Sequence, residues 1–125
     1  MKLVLGIGAS AGADLGEIEA LIARALAAQG LSPVDVRLVA SLDSKRQALA
    51  ALCERHGWAL VTHPAERLRQ QVVPNPSTRA QHVVGTWSVA EAAAQLHGDL
   101  LVTKTTSAHA TVAVARLPAD TYQGG

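Results

Sequence analysis

Phenylalanine is missing from the 125 residues, and Trp, Tyr and Cys number only two, one and one. With so few aromatic faces there is little on which bases could stack, and a net charge of +1 sets up no broad basic field. Both absences argue against nucleic acid as a partner. The lone Cys53 excludes an internal disulfide framework and suits a reducing compartment, so a cytoplasmic location is expected. No apolar run approaches the ~20 residues of a membrane helix, so no membrane partner is expected either. The apolar start Met1 to Gly6 is too short for a signal peptide. The five histidines show no i, i+4 spacing, and no Cys or carboxylate completes a ligand set beside them. Spacing alone therefore points to no metal and no cofactor. There is no Gly-x-Ser-x-Gly nucleophile elbow. Without a linker, repeat or shift of composition, residues 1–125 read as one domain, able to bury roughly two-thirds of its unfolded surface.

What is present is an alternation of short apolar runs and amphipathic segments. Lys2–Ile7 reads as a buried strand ending in glycine. Asp14 and Glu17 open a helix with Leu15, Ile18, Ile22 and Leu26 on one face, stopped by Gly30. Val36–Leu42 is a second strand. Leu49, Leu52, Cys53 and His56 follow at helical spacing up to Gly57, which makes Cys53 a buried core thiol rather than a nucleophile. Trp58–Thr62 is a brief strand and Pro64–Gln71 a short helix. Leu100–Lys104 and Thr111–Arg116 are the last strands, joined by too few residues for a parallel crossover. The pattern predicts an α/β fold, a three-layer α/β/α sandwich around a mixed, mostly parallel sheet of about five strands. In the last strand Val112 and Val114 alternate with Thr111, Ala113 and Ala115, so one sheet face should carry larger side chains than the other. Ligands of such sheets gather beyond the carboxyl ends of the parallel strands, here the loops after Ile7, Leu42 and Thr62.

Candidate ligand-binding residues fall in three places. Gly6, Gly8 and Gly12 read as a strand-to-helix turn, followed closely by Ser10. Their Gly-x-Gly-x-x-x-Gly spacing is not the dinucleotide fingerprint, leaving a tight turn or an anion-binding nest of backbone N–H groups. Lys45 and Arg46 stand in the first turn of a helix, where positive charge opposes the macrodipole, so the charges can serve an anion. Asp43 just upstream also offsets them. From Val72 to Leu96, prolines flank Asn75, Ser77 can cap a helix, and Ser88 with Glu91 forms a Ser-x-x-Glu capping box after Thr86. Two helix N-termini then lie close in sequence, a disposition that suits carboxylates or phosphates. Lys104, at the end of an apolar strand and followed by Thr105, Thr106 and Ser107, is a further candidate carboxylate site, or a solvated, edge-protecting lysine.

The ordered set of motifs resembles a known family. Leu5-Gly-Ile-Gly8, Glu17–Ile22, Leu31–Val36, Ser41–Lys45, Val73–Ser77, Val84–Ala93, Leu101–Lys104 and Thr111–Arg116 follow in order over nearly the whole chain. They are similar to the CobE family of cobalamin biosynthesis, which is also the carboxy-terminal domain of CbiG. In that family the first glycine turn often carries a cysteine and basic residues, where this chain has Ala9-Ser-Ala11. The resemblance implies a precorrin or corrinoid small molecule as ligand and other corrin-pathway enzymes as partners. Precorrins are flat, apolar in the middle and rimmed by carboxylates. Helix N-termini, glycine amides and lysines, with Trp87 or Val72 on the apolar face, would suit them.

Two functions follow from that resemblance. One is a binding or delivery protein of the aerobic corrin pathway. The other is a precorrin hydrolase, opening a lactone with release of acetaldehyde, alone or with a partner. The first is favoured because no acid–base pair is recognisable, so no catalytic residue is assigned.

Overall fold

The computed structural model of the chain describes residues 1–70 and 89–118. Leu3, Leu5 and Ile7 alternate with Val4, Gly6 and Gly8 along β1, Leu3–Ala9, and Leu3, Val4, Leu5 and Ile7 are all 0% exposed. A strand buried on both faces belongs at the centre of a sheet. β1 lies between β2 (Val36–Leu42), paired parallel, and β5 (Ala110–Arg116), paired antiparallel. β3 (Ala59–His63) extends the parallel side and β4 (Asp99–Thr106) pairs antiparallel with β5, giving the order β3-β2-β1-β5-β4. Four strands therefore point one way and β5 opposes them. The short connection, residues 107–109, does join an antiparallel pair.

Helix α1, Leu15–Ala28, starts where Asp14 Oδ1 accepts the Glu17 N–H at 2.7 Å. Its buried stripe is Ile18, Leu21, Ile22, Ala25 and Leu26, and it ends at Gly30, whose φ of 68° is the left-handed conformation glycine takes without penalty. Helix α2, Arg46–His56, buries Leu49, Leu52 and Cys53 and closes at Gly57 with φ 74°. These two helices cover the sheet face formed by Leu3, Leu5, Ile7, Val39, Val112 and Val114. Burial pushes the Cys53 thiol up to about 11, consistent with an inert core residue.

The opposite face is built from small residues. Val4, Ala40, Ala113 and Ala115 meet Leu68 of α3, Ala65–Arg69, and Ala90, Ala92, Ala93 and Ala94 of α4, Val89–Gln95. The closeness is extreme at Gly6, where a Cβ would stand 1.9 Å from the Ala90 carbonyl oxygen and 2.8 Å from the Ala94 nitrogen. Backbone meets backbone there, which only glycine permits. The asymmetry between valines and alanines along β5 thus sorts the two helical layers as the alternation predicts.

Some boundaries differ from the sequence reading. β1 continues to Ala9, so Gly6 and Gly8 lie inside the strand rather than in the following turn. The reason is that glycine here serves helix contact, not chain reversal. α3 is five residues long, shorter than 64–71. Lys45 closes a 3-10 turn, Asp43–Lys45, and caps α2 rather than standing within its first turn.

Candidate functional site

The turn after β1 and the turn after β2 emerge at the carboxyl edge of neighbouring parallel strands, where a cleft is expected. A cleft of about 340 Å³ lies there, between α1 and α2. Ala9, Ala13, Leu15, Ile18, Ala48 and Leu49 give it an apolar floor, and Ser10, Ser44, Asp14 and the half-buried Lys45 supply polar groups. The α1 N-terminus borders the same space, adding partial positive charge that Asp14 already meets by capping it. Lys45 is thus a flexible cation beside an apolar surface, with hydroxyls next to it. Ser41, wholly buried on β2, donates its hydroxyl to the Ile7 carbonyl at 2.6 Å and ties the two strands below the cleft.

On the other side of the β1–α1 turn a polar cluster anchors the β4–β5 connection. The Glu17 carboxylate accepts the Ser107 hydroxyl, the His109 backbone N–H at 2.7 Å, and faces His109 Nδ1 at 3.1 Å. The Ser107 hydroxyl first, and then the His109 N–H, hold the Glu17 carboxyl below its ordinary range. Ser10 adds its backbone N–H to the His109 carbonyl at 2.9 Å, with its hydroxyl on the same oxygen at 3.3 Å. The His109 ring covers Gly12, where a Cβ would come within 3.0 Å of it. Sequence reasoning missed this cluster. Asp14 and Glu17 stand at capping-box spacing, but the Glu17 side chain reaches across some 90 positions instead of back to its own helix.

The candidates are therefore only partly brought together. Ser10 and Lys45 share the cleft. Gly6 and Gly8 are paired within β1 beneath α4. Lys104 lies on β4, two strands from β1, with an exposed side chain, and its backbone N–H donates to Glu91 at 3.0 Å. That bond falls where the β4–β5 register is irregular, between Val102 and Thr105, so a carboxylate takes a donor at an interruption of the ladder. Glu91 is 1% exposed on α4, a burial that needs such partners. Asn75, Ser77, Thr86 and Ser88, together with Val72 and Trp87, lie outside the described residues.

Two histidines meet elsewhere. His63, at the end of β3, and His97, just beyond α4, place their Nε2 atoms 2.9 Å apart. Burial lowers both pKa values; Arg67 further lowers that of His63 while Asp43 opposes it, and His63 lowers that of His97. His56 stacks on Trp58 with ring centres 4.2 Å apart and lies 3.5 Å from Glu19.

Set against known proteins, residues 3–115 match the family described as cobalamin synthesis G C-terminus. The chain belongs to this cobalamin-biosynthesis family. Protein CobE of Sinorhizobium sp is 39% identical over 124 residues, which cover 90% of this chain and 79% of that protein. The cobalt-precorrin-5A hydrolase of Priestia megaterium is 28% identical over 123 residues, but this domain spans only 33% of its length. The crystal structure of CobE, a protein from the cobalamin (vitamin B12) biosynthetic pathway, superposes with a TM-score of 0.74 at 31% identity, covering 94% of this chain and 91% of that one. The family resemblance read from the motifs is thus correct, as is the α/β sandwich read from the alternation of strands and helices. Among the described residues no helix is long and apolar enough to cross a membrane.

Proposed function

We propose that this cobalamin-biosynthesis domain binds a precorrin or corrinoid intermediate at the Lys45 cleft and delivers it to other enzymes of corrin assembly. The observation that carries the reading is the pairing of an apolar floor with Lys45, Ser10 and Ser44 at the carboxyl edge of β1 and β2. A flat macrocycle rimmed with carboxylates offers both chemistries at one edge. At about 340 Å³ the cleft is near the lower end for small-molecule sites, so it receives an edge of the ring rather than enclosing it. Asn75, Ser77, Thr86 and Ser88 are expected to act in the same recognition, whereas Gly6 and Gly8 pack against α4, Glu91 is buried within it and Lys104 stands on β4, apart from this cleft. A hydrolase reading is favoured only by the likeness to the cobalt-precorrin-5A hydrolase, of which this domain spans a third.

Titration of cobalt-free corrinoid acids into the protein, followed by visible absorbance, tests the proposal. Saturable one-to-one shifts without mass change are expected. Lys45→Ala should weaken binding by ~1.5–3 kcal/mol, the value of a charge-assisted hydrogen bond. An unchanged affinity in a folded Lys45→Ala protein would move the site away from this cleft. Conversion of the ligand, with acetaldehyde released, would make the domain a hydrolase.

A further inference from the structure

We propose that His63 and His97 form a two-histidine site for a divalent first-row transition ion. The residues are 34 positions apart and come from different elements, so no ligand spacing in the sequence announces them. In the fold their Nε2 atoms converge to 2.9 Å, with ring centres 5.1 Å apart and planes tilted by 34°. Metal–imidazole bonds of about 2.0–2.1 Å set two nitrogens about 2.9 Å apart at a right angle, and roughly 3.4 Å apart at the tetrahedral angle. The observed separation therefore matches adjacent positions of a tetragonal ion such as Cu²⁺ or Ni²⁺. Zinc would need the rings to part by a few tenths of an ångström.

Without an ion, one imidazole must carry its proton on Nε2 and donate it to the lone pair of the other. Metal binding moves that proton to Nδ1 of the same ring, so both Nε2 lone pairs face the ion and no proton is released. Both rings are half-buried, and burial favours the neutral form that ligates metal. Of the charges near His63, Arg67 disfavours and Asp43 favours a cation, the Arg67 effect being the larger. Among the described residues no third His, Cys, Asp or Glu joins the pair. The other coordination positions are left to water or an incoming ligand, which makes the site exchangeable rather than structural. The other described histidines are differently engaged, His109 through Nδ1 on Glu17 and His56 on the face of Trp58.

The test is calorimetric titration of the tag-free, chelator-treated full chain with Cu²⁺ and Ni²⁺ chlorides. One ion per chain is expected, with Cu²⁺ the tighter. His63→Gln and His97→Gln should each weaken binding by about tenfold or more, since even outer-shell partners carry that much. Glutamine can still hydrogen-bond the remaining imidazole, so these variants keep the strap between β3 and α4, and their melting curves verify folding. Imidazole nitrogen spectra with Zn²⁺ should shift at Nε2 of His63 and His97. Binding that survives His97→Gln, shifts confined to other histidines, or no saturable binding would each overturn the proposal and leave the pair a hydrogen-bonded strap.

Discussion

Replacing Gly6 by alanine should destabilise the domain more than its single methyl suggests. The added Cβ would lie 1.9 Å from the Ala90 carbonyl oxygen, about 1.5 Å short of the 3.4 Å at which ordinary contact begins. The obstruction is helix backbone, which has no rotamer to escape into, so α4 must lift from the sheet. A gap of 0.5–1 Å already forfeits roughly a quarter to a half of a dispersion contact, and the lift would impose it on Ala90, Ala92, Ala93 and Ala94 together. Overpacking ordinarily costs ~1–3 kcal/mol, and this case belongs at the upper end. Against it stands the ~0.5–1 kcal/mol gained by removing glycine from a strand. The net expectation is a loss of ~2 kcal/mol or more, read as a lowered urea midpoint at constant m-value. Gly8→Ala is the matched control. Its Cβ would meet the Val89 side chain at 3.3 Å, a mild conflict offset by the same strand gain, so it should fall within ~0.5 kcal/mol of wild type. A Gly6→Ala protein as stable as wild type, or more stable than Gly8→Ala, would refute the account of this interface.

Two further outcomes follow from buried or shielded carboxylates. Glu91→Ala should cost ~3 kcal/mol in urea denaturation, because it empties a buried position and strands the Lys104 N–H; Glu91→Gln, which keeps an acceptor oxygen, should cost much less. Equal stability of the two variants would mean that Lys104 finds another acceptor. For Glu17, the lowered folded-state pKa means the unfolded chain binds the proton more readily. Its contribution is therefore complete above the unfolded carboxylate value of about 4.3 and fades as pH falls through the folded one. The stability difference between wild type and Glu17→Gln should shrink as pH falls below about 4.5; a gap that persists at pH 3 would show that the carboxylate charge is not what Ser107 and His109 stabilise.

The architecture was legible in the sequence because the relevant signals are local. Val36–Leu42 is a strand by its apolar run, Gly30 and Gly57 stop helices by their left-handed conformation, and Val112 and Val114 against Ala113 and Ala115 announce two unequal faces. Gly6 and Gly8 were misread as a turn because a glycine needed for close helix approach looks the same in one dimension as one needed for chain reversal. Ser10, read beside the first glycine turn, and Lys45, read at a helix start, line one cleft because both follow neighbouring parallel strands. The Glu17, Ser107 and His109 cluster and the His63–His97 pair were not legible, since each joins residues too far apart for any periodicity to register.

The position of β1 has a consequence for how the domain is made. This central strand takes one neighbour from residues 36–42 and the other from the far end of the described chain, with Leu3 opposite Arg116. A ribosome that has released β1, β2 and β3 has therefore released half a sheet, whose inner edge at β1 stays open until β5 emerges. Closure over so long a loop is entropically slow. During synthesis that edge is a ready template for a wrong strand until β5, the last strand of the sheet in chain order, completes the core.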